Sequence, residues 1–297
     1  MAVKIILADS AGVCFGVENA VSTAEKELLK NKKVYSYGPL IHNPQSIEKL
    51  EKNGLEVINK IENKNGKIII RAHWITVQEE SSLGETDSEL IDMTCPIVKR
   101  LQFAIKALTE DGYHVIIVGD KDHPEIIGAK SYGKNNISII KSVDEIDDLI
   151  KRFNKIGVVA QTTIPVENFW NVVDKLKTIN KLDLKVIDTL CDDIHNKQVE
   201  AKEIAKDVDV MIVIGGRNSS NTKEIAKLCK EVNPITYQVE TYDQLKQLEI
   251  DFTNKTIGIS AGASTPPWII KEAIDLSLIH ISEPTRLRRI SYAVFCL

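Results

Sequence analysis

Three cysteines occupy matched places in the chain, and each is followed by the same two landmarks. Gly38 lies 24 residues beyond Cys14, and His42 lies 28 beyond it. Gly119 and His123 repeat those offsets of 24 and 28 from Cys95, and Gly215 and Ser219 repeat them from Cys191. Thiolates are soft donors that suit zinc or an iron–sulfur cluster. Histidines and hydroxyls in strand-end loops, next to helix N-termini, suit a phosphorylated anion. A repeat of this size implies three similar units, each placing one thiol and one polar loop in equivalent positions. Around a pseudo-threefold axis, three thiolates and three polar loops would meet at one point. A closed structural site would want a fourth ligand, and no fourth unit supplies one, so a coordination position is left for substrate.

The elements that would hold these groups are legible between the landmarks. After Cys95-Pro96, apolar residues at Ile97, Val98, Leu101, Ala104, Ile105 and Leu108 have the spacing of a helix with one covered face. Pro96 suits its first turn. A thiol at a helix N-terminus is biased toward the thiolate, the form that binds metal. Buried-type strands follow at 34–37, 115–118 and 211–214. A second strand in each unit ends in Arg71-Ala72-His73-Trp74, in Gln161-Thr162-Thr163, and in Gly262-Ala263-Ser264-Thr265. Strands alternating with helices predict an α/β protein with mainly parallel sheets, whose ligands bind beyond the carboxyl ends of the strands. The predicted units are 1–94, including the N-terminal strand, then 95–190 and 191–275. From about Leu276 to Leu297 no helix or strand period is evident. That segment reads as translated adapter sequence joined to a truncated natural end, and it is set aside together with Cys296.

Composition excludes several classes of function. A chain of 297 residues, 43% hydrophobic and 27% charged, is an ordinary globular protein with room for two or three domains. A net charge of −4 argues against a nucleic-acid partner. No apolar run approaches the roughly 20 residues that span a bilayer. The N-terminus enters a strand pattern directly and shows no targeting segment, which predicts a cytoplasmic protein. Five cysteines without a dense framework fit reduced thiols better than disulfides. There is no GxGxxG, Walker A, HExxH or GxSxG, so nucleotide-binding and hydrolase readings lack support.

Single residues admit plainer readings. Cys229, within the helical run 224–231, reads as an inert small hydrophobe. A lone loop histidine is ordinarily solvated or structural, but His42, His73 and His123 all fall at strand ends, near Asn43, Thr162, Ser219, Ser220, Asn221 and Ser264. Glu125 is either a helix-start acid facing the macrodipole or a proton donor, and the sequence does not separate the two.

Taken together, Gly12-Val13-Cys14-Phe15-Gly16-Val17, Ile41-His42-Asn43, Arg71-Ala72-His73, Thr94-Cys95-Pro96, His123-Pro124-Glu125, Gln161-Thr162-Thr163, Asn218-Ser219-Ser220-Asn221 and Gly262-Ala263-Ser264-Thr265 resemble the 4-hydroxy-3-methylbut-2-enyl diphosphate reductase (IspH/LytB) family over about residues 4–275. The resemblance implies a trefoil of three α/β domains around a central [4Fe–4S] cluster held by Cys14, Cys95 and Cys191. It implies that His42, His73, Ser219, Asn221 and Ser264 hold the diphosphate, with His123 and Ser220. Thr162 and Glu125 would lie near the hydroxyl carbon, Glu125 delivering protons, with ferredoxin or flavodoxin as electron donor. Two departures stand out: Trp74, where glycine is usual, and Glu18-Asn19, where a basic residue is common. If the position of Trp74 needs φ > 0 or close approach to ligand, an indole would crowd the pocket. Two other readings remain open at this point: a cluster-binding redox sensor without activity, and a three-cysteine zinc hydrolase.

Overall fold

The computed structural model describes residues 4–30, 33–73, 75–133, 136–248, 250 and 252–279, with side chains in the last helix described to residue 275. In chain order the described residues form β1 (Lys4–Leu7), α1 (Phe15–Lys30), β2 (Val34–Tyr37), α2 (Pro44–Lys52), β3 (Leu55–Ile58), β4 (Lys67–Ile70), α3 (Val77–Gly84) and β5 (Glu89–Asp92). There follow α4 (Pro96–Glu110), β6 (His114–Val118), α5 (Pro124–Lys130), β7 (Ile137–Ile140), α6 (Asp147–Ile150), β8 (Lys155–Ala160), α7 (Val166–Lys177) and β9 (Asp183–Val186). The last group is α8 (Asp192–Lys206), β10 (Val210–Ile214), α9 (Ser220–Val232), β11 (Thr236–Val239), α10 (Tyr242–Lys246), β12 (Thr256–Ala261) and α11 (Pro267–Ile279).

The strands make three sheets of one design, ordered β3-β2-β4-β5, β7-β6-β8-β9 and β11-β10-β12-β1. Every neighbouring pair is parallel. Successive side chains of a strand point to opposite faces. Thus Ile116 and Val118 pack with Phe169 and Val172, while Val115 and Ile117 pack with Leu101 and Ile105. In the third sheet Ile212 and Ile214 face Ile269 and Ile270, while Met211 and Val213 face Ala201 and Ala205. Helices cover both faces, so the central strands read as continuous apolar runs rather than as alternations.

The N-terminal strand departs from the sequence-based expectation. It was assigned to the first unit, but Lys4–Leu7 runs beside Thr256–Ile259 and forms an edge of the third sheet. Strand periodicity says which face is buried, not which sheet edge is free. The corresponding edge of the first sheet is taken by β5, and in the third sheet the chain enters α11 after β12 and leaves that edge for β1. Consequently β1, β5 and β9 are equivalent, and each directly precedes a cysteine. Cys14, Cys95 and Cys191 each stand where the chain leaves one sheet to begin the helix that packs on the next. Residues 276–279, placed in the patternless tail, continue α11; the rest of the tail lies outside the described residues. No helix among them is long and apolar enough to cross a membrane.

Candidate functional site

The three cysteines are suspended identically. The Cys14 amide donates to Ala263 O at 3.0 Å, Cys95 to Ala72 O at 2.9 Å, and Cys191 to Thr162 O at 3.1 Å. Each acceptor is the second residue past the third strand of a unit, β12, β4 and β8. In turn Glu18, Lys99 and His195 donate their amides to the cysteine carbonyls at 2.9, 3.0 and 2.9 Å, closing the first turn of α1, α4 and α8. Each thiol therefore sits at the N-terminus of a helix of 15 or 16 residues.

The thiols also sense one another. Burial raises all three thiol pKa values. Amides of the first helical turn hold the sulfurs and work in the opposite direction, at Val17 and Gly16, at Ile97 and Val98, and at Ile194 and Asp193. The expected helix-start preference for thiolate is thus present but outweighed by desolvation until a cation compensates. Cys14 is further raised by Cys95, Cys95 by Cys191, and Cys191 by Cys14, as charges in mutual reach would do. All three are free and partly exposed. Among the described residues no three Cys, His, Asp or Glu side chains converge tightly enough for a single metal ion. Three soft thiols at helix N-termini, in mutual electrostatic reach, have the donor chemistry an iron–sulfur core needs. A cavity of about 620 Å³, bordered by Gly16, Thr94, Lys99, Arg100 and Phe103, reaches Cys95 from outside.

The polar loops are built on the marker glycines. The amides of Gly38, Gly119 and Gly215 each donate at 2.8 Å to the end of the neighbouring strand, at Ile58, Ile140 and Val239. Two of these glycines need their lack of a side chain: Gly38 has φ +70°, with Arg71 packed where a Cβ would stand, and Gly215 has φ +150° against Thr222. His123 and Ser219 cap α5 and α9, accepting from Glu125 N at 3.3 Å and Thr222 N at 3.3 Å. In the first unit the cap of α2 is Asn43, which accepts from Ser46 N at 2.8 Å, so His42 stands one residue ahead of it.

Loops from different units meet over this ground. His42 stacks on His73 with ring centroids 3.7 Å apart, and His123 lies 6.5 Å from His42. Ser264 Oγ donates to His42 O at 3.2 Å, joining the third unit to the first. Thr163 Oγ1 is 3.4 Å from Ser220 Oγ and accepts from Gln161 Nε2 at 3.0 Å, joining the second unit to the third. Burial, His123 and Arg71 lower the His42 pKa to about 4, and burial, His42 and Arg71 hold His73 well below its usual range. Burial likewise lowers His123. All three rings are thereby pushed toward the neutral form. The Nε2 of His42 and both amide atoms of Asn221, a residue 4% exposed, are buried without a partner. Orphaned buried polar atoms are costly, and the Asn221 amide nitrogen and a protonated His42 Nε2 are donors an anion would satisfy.

Glu125 joins the two halves. It is 3% exposed, and its carboxyl takes Thr162 N and Thr162 Oγ1, both at 2.7 Å. Desolvation outweighs those bonds and raises its pKa to about 7. Its charge is felt by Cys95. Thr162 therefore carries Cys191 on its carbonyl and Glu125 on its amide and hydroxyl. Sequence reasoning passed over Gln161, whose Oε1 holds Asp120 N at 2.9 Å, and Gln198, which reaches Thr163 O at 3.1 Å. Both are buried amides, and only the polar interruption of an apolar face signals them. Trp74 lies outside the described residues.

The family model described as LytB protein matches residues 5–277. The 4-hydroxy-3-methylbut-2-enyl diphosphate reductase of Geotalea uraniireducens is 44% identical over 273 residues, covering 92% of this chain and 96% of that protein. The reductase of the same name from Aquifex aeolicus is 43% identical over 277 residues, covering 91% and 94%. Among solved structures, an (E)-4-hydroxy-3-methyl-but-2-enyl diphosphate reductase, described as the terminal enzyme of the non-mevalonate pathway, is 39% identical with a TM-score of 0.67, over 94% of this chain and 100% of that one. An E-1-hydroxy-2-methyl-but-2-enyl-4-diphosphate reductase from Plasmodium falciparum is 26% identical with a TM-score of 0.83, over 93% and 88%. With the repeated cysteine crossings, the three parallel sheets and these matches along nearly its whole length, the chain belongs to the LytB family.

Proposed function

We propose that this protein is a cytoplasmic iron–sulfur reductase that converts 4-hydroxy-3-methylbut-2-enyl diphosphate to isopentenyl and dimethylallyl diphosphate. The observation that carries the reading is Glu125, a buried carboxyl held by Thr162 N and Oγ1 at 2.7 Å, its pKa raised by desolvation to about 7, within electrostatic reach of Cys95. Cys14, Cys95 and Cys191 would hold a [4Fe–4S] cluster, which when bound supplies single electrons and an iron without a protein ligand as Lewis acid.

The rest is the work of this chain's own groups. Ser219, Ser220 and Asn221 at the start of α9 present hydroxyls, an amide and backbone N–H groups to the diphosphate. His42, His73 and His123 face it from the other two units, and Ser264 from the loop after β12 of the same unit. His42, whose Nε2 has no partner, gains a charge-assisted bond when the anion enters. The diphosphate thereby orients the allylic hydroxyl toward Thr162 and Glu125. Loss of that hydroxyl as water and formation of one C–H bond take up two electrons and two protons. Glu125 supplies a proton, and Thr162 fixes the carboxyl by two bonds. Protonation at either end of the allylic unit gives the two products. Electrons come from an outside donor such as ferredoxin or flavodoxin.

The test is anaerobic purification with iron and sulfide, followed by turnover with dithionite and a viologen. A brown protein that forms both five-carbon diphosphates is expected. A colourless zinc-loaded protein, or a brown one without turnover, would overturn the assignment.

A further inference from the structure

Two neighbouring buried side chains of α8 reach in different directions. Lys197 and Gln198 are each 3% exposed. The ammonium of Lys197 donates to the carbonyl of Ser10, in the loop that leads to Cys14. Its carboxylate neighbour is Asp193, 3.8 Å away and half exposed. Less than one turn further along, Glu200 grips the same loop, accepting from Asp9 N at 2.7 Å, Ser10 N at 2.9 Å and the Ser10 hydroxyl. Gln198 Nε2 donates to Thr163 O at 3.1 Å, and Thr163 adjoins the Thr162 that holds Glu125.

Successive helical residues point about 100° apart, so Lys197 and Gln198 do not serve one contact. A buried ammonium is expensive to keep unless it is well paired. Lys197 has the Ser10 carbonyl, Asp193 at 3.8 Å and Glu200, whose carboxyl its charge holds down. Asp193 is in turn felt by Cys14 and Cys191, so this buried charge pair stands beside the thiols. The Cys14 loop, the Cys191 helix and the Glu125–Thr162 pair are thus fastened to one rigid element.

We propose that Lys197 and Gln198 are positioning residues: Lys197 fixes the Cys14 loop and balances Asp193 beside the thiols, and Gln198 holds the Thr163 carbonyl and through it Thr162 and Glu125. The inference rests on the proposed reductase reading. Removing the charge disfavours the more negative, reduced state of the site, so Lys197→Met lowers the reduction potential of the anaerobically loaded protein. It also speeds cluster loss to a chelator by about tenfold, as removal of a residue supporting a ligand does. Lys197→Arg restores the potential. Gln198→Leu leaves potential and cluster retention at their wild-type values, and lowers kcat with KM unchanged.

Hydrogen exchange on the metal-free protein gives a readout independent of turnover. Amides 9–14 exchange faster in Lys197→Met alone, and amides 161–163 faster in Gln198→Leu alone. Variants that lose thermal stability while keeping wild-type potential, kcat and local exchange overturn the inference. A wild-type protein that takes up no iron or sulfide overturns the reductase reading instead, and the exchange pattern then decides the positioning role alone.

Discussion

The sulfur side of the site and its anion side are built on the same repeat and treat it differently. On the sulfur side three residues of one type have the same two backbone bonds in all three units, with lengths that agree to 0.2 Å. On the anion side the equivalent positions carry His42, His123 and Ser219, the last two capping their helices and the first preceding its cap. An inorganic core of high symmetry can be met by three copies of one device. A substrate with a diphosphate at one end and a hydroxyl at the other cannot. Repetition supplies the frame, and divergence of side chains on that frame supplies the direction.

If the sulfur side is symmetric in function, Cys14→Ser, Cys95→Ser and Cys191→Ser each abolish turnover and lower bound iron alike, which metal analysis and a viologen assay check. Unequal losses would break the comparison at its stronger half. On the other side the effects should be graded. Glu125→Gln is expected to lower kcat by about 10²–10⁴ with little change in KM, the usual range for a lost general acid. The same carboxyl leaves a mark on the metal-free fold. Held protonated to about 7 against a reference near 4.5, it makes the native state bind more protons than the unfolded state between those values. Stability is therefore greatest below that window and falls as pH rises through it, by about 3 kcal/mol in all. Chemical denaturation across pH should show the decline in the wild type and not in Glu125→Gln. His42→Ala and Asn221→Ala each remove a partner of the anion and should raise KM by about 10–100-fold, the worth of a bond to a charged group. The smallest expected effect is that of Trp74→Gly, for which steady-state assays should find turnover raised or unchanged; a large loss would show that the indole serves the site.

Much of the frame was legible because the landmarks are ones a parallel α/β unit must have. Gly38, Gly119 and Gly215 mark where side chains from the next loop cross a strand end, and the cysteines mark helix starts. The central strands were legible as runs of Ile and Val. The edge strands β3, β7 and β11 are strand-like in composition, but four residues each without a cysteine or polar-loop landmark beside them left them unread. The partner sheet of β1 was hidden for a different reason: pairing between the two ends of a chain leaves no local trace. In the site, the histidines and hydroxyls are visible as polar residues at strand ends. The two hydrogen bonds from Thr162 to Glu125 and the reach of Lys197 to Ser10 join positions 37 and 187 residues apart, which spacing alone does not connect.

The bond from the Cys14 amide to the carbonyl of Ala263 has a consequence in time. Cys95 and Cys191 hang on loops close to them in sequence, whereas Cys14 needs a loop from the far side of the third unit and the edge that β12 offers to β1. Contacts of long sequence separation are slow to close. The Cys14 corner should therefore set last on refolding, its amide gaining protection from exchange after that of Cys95.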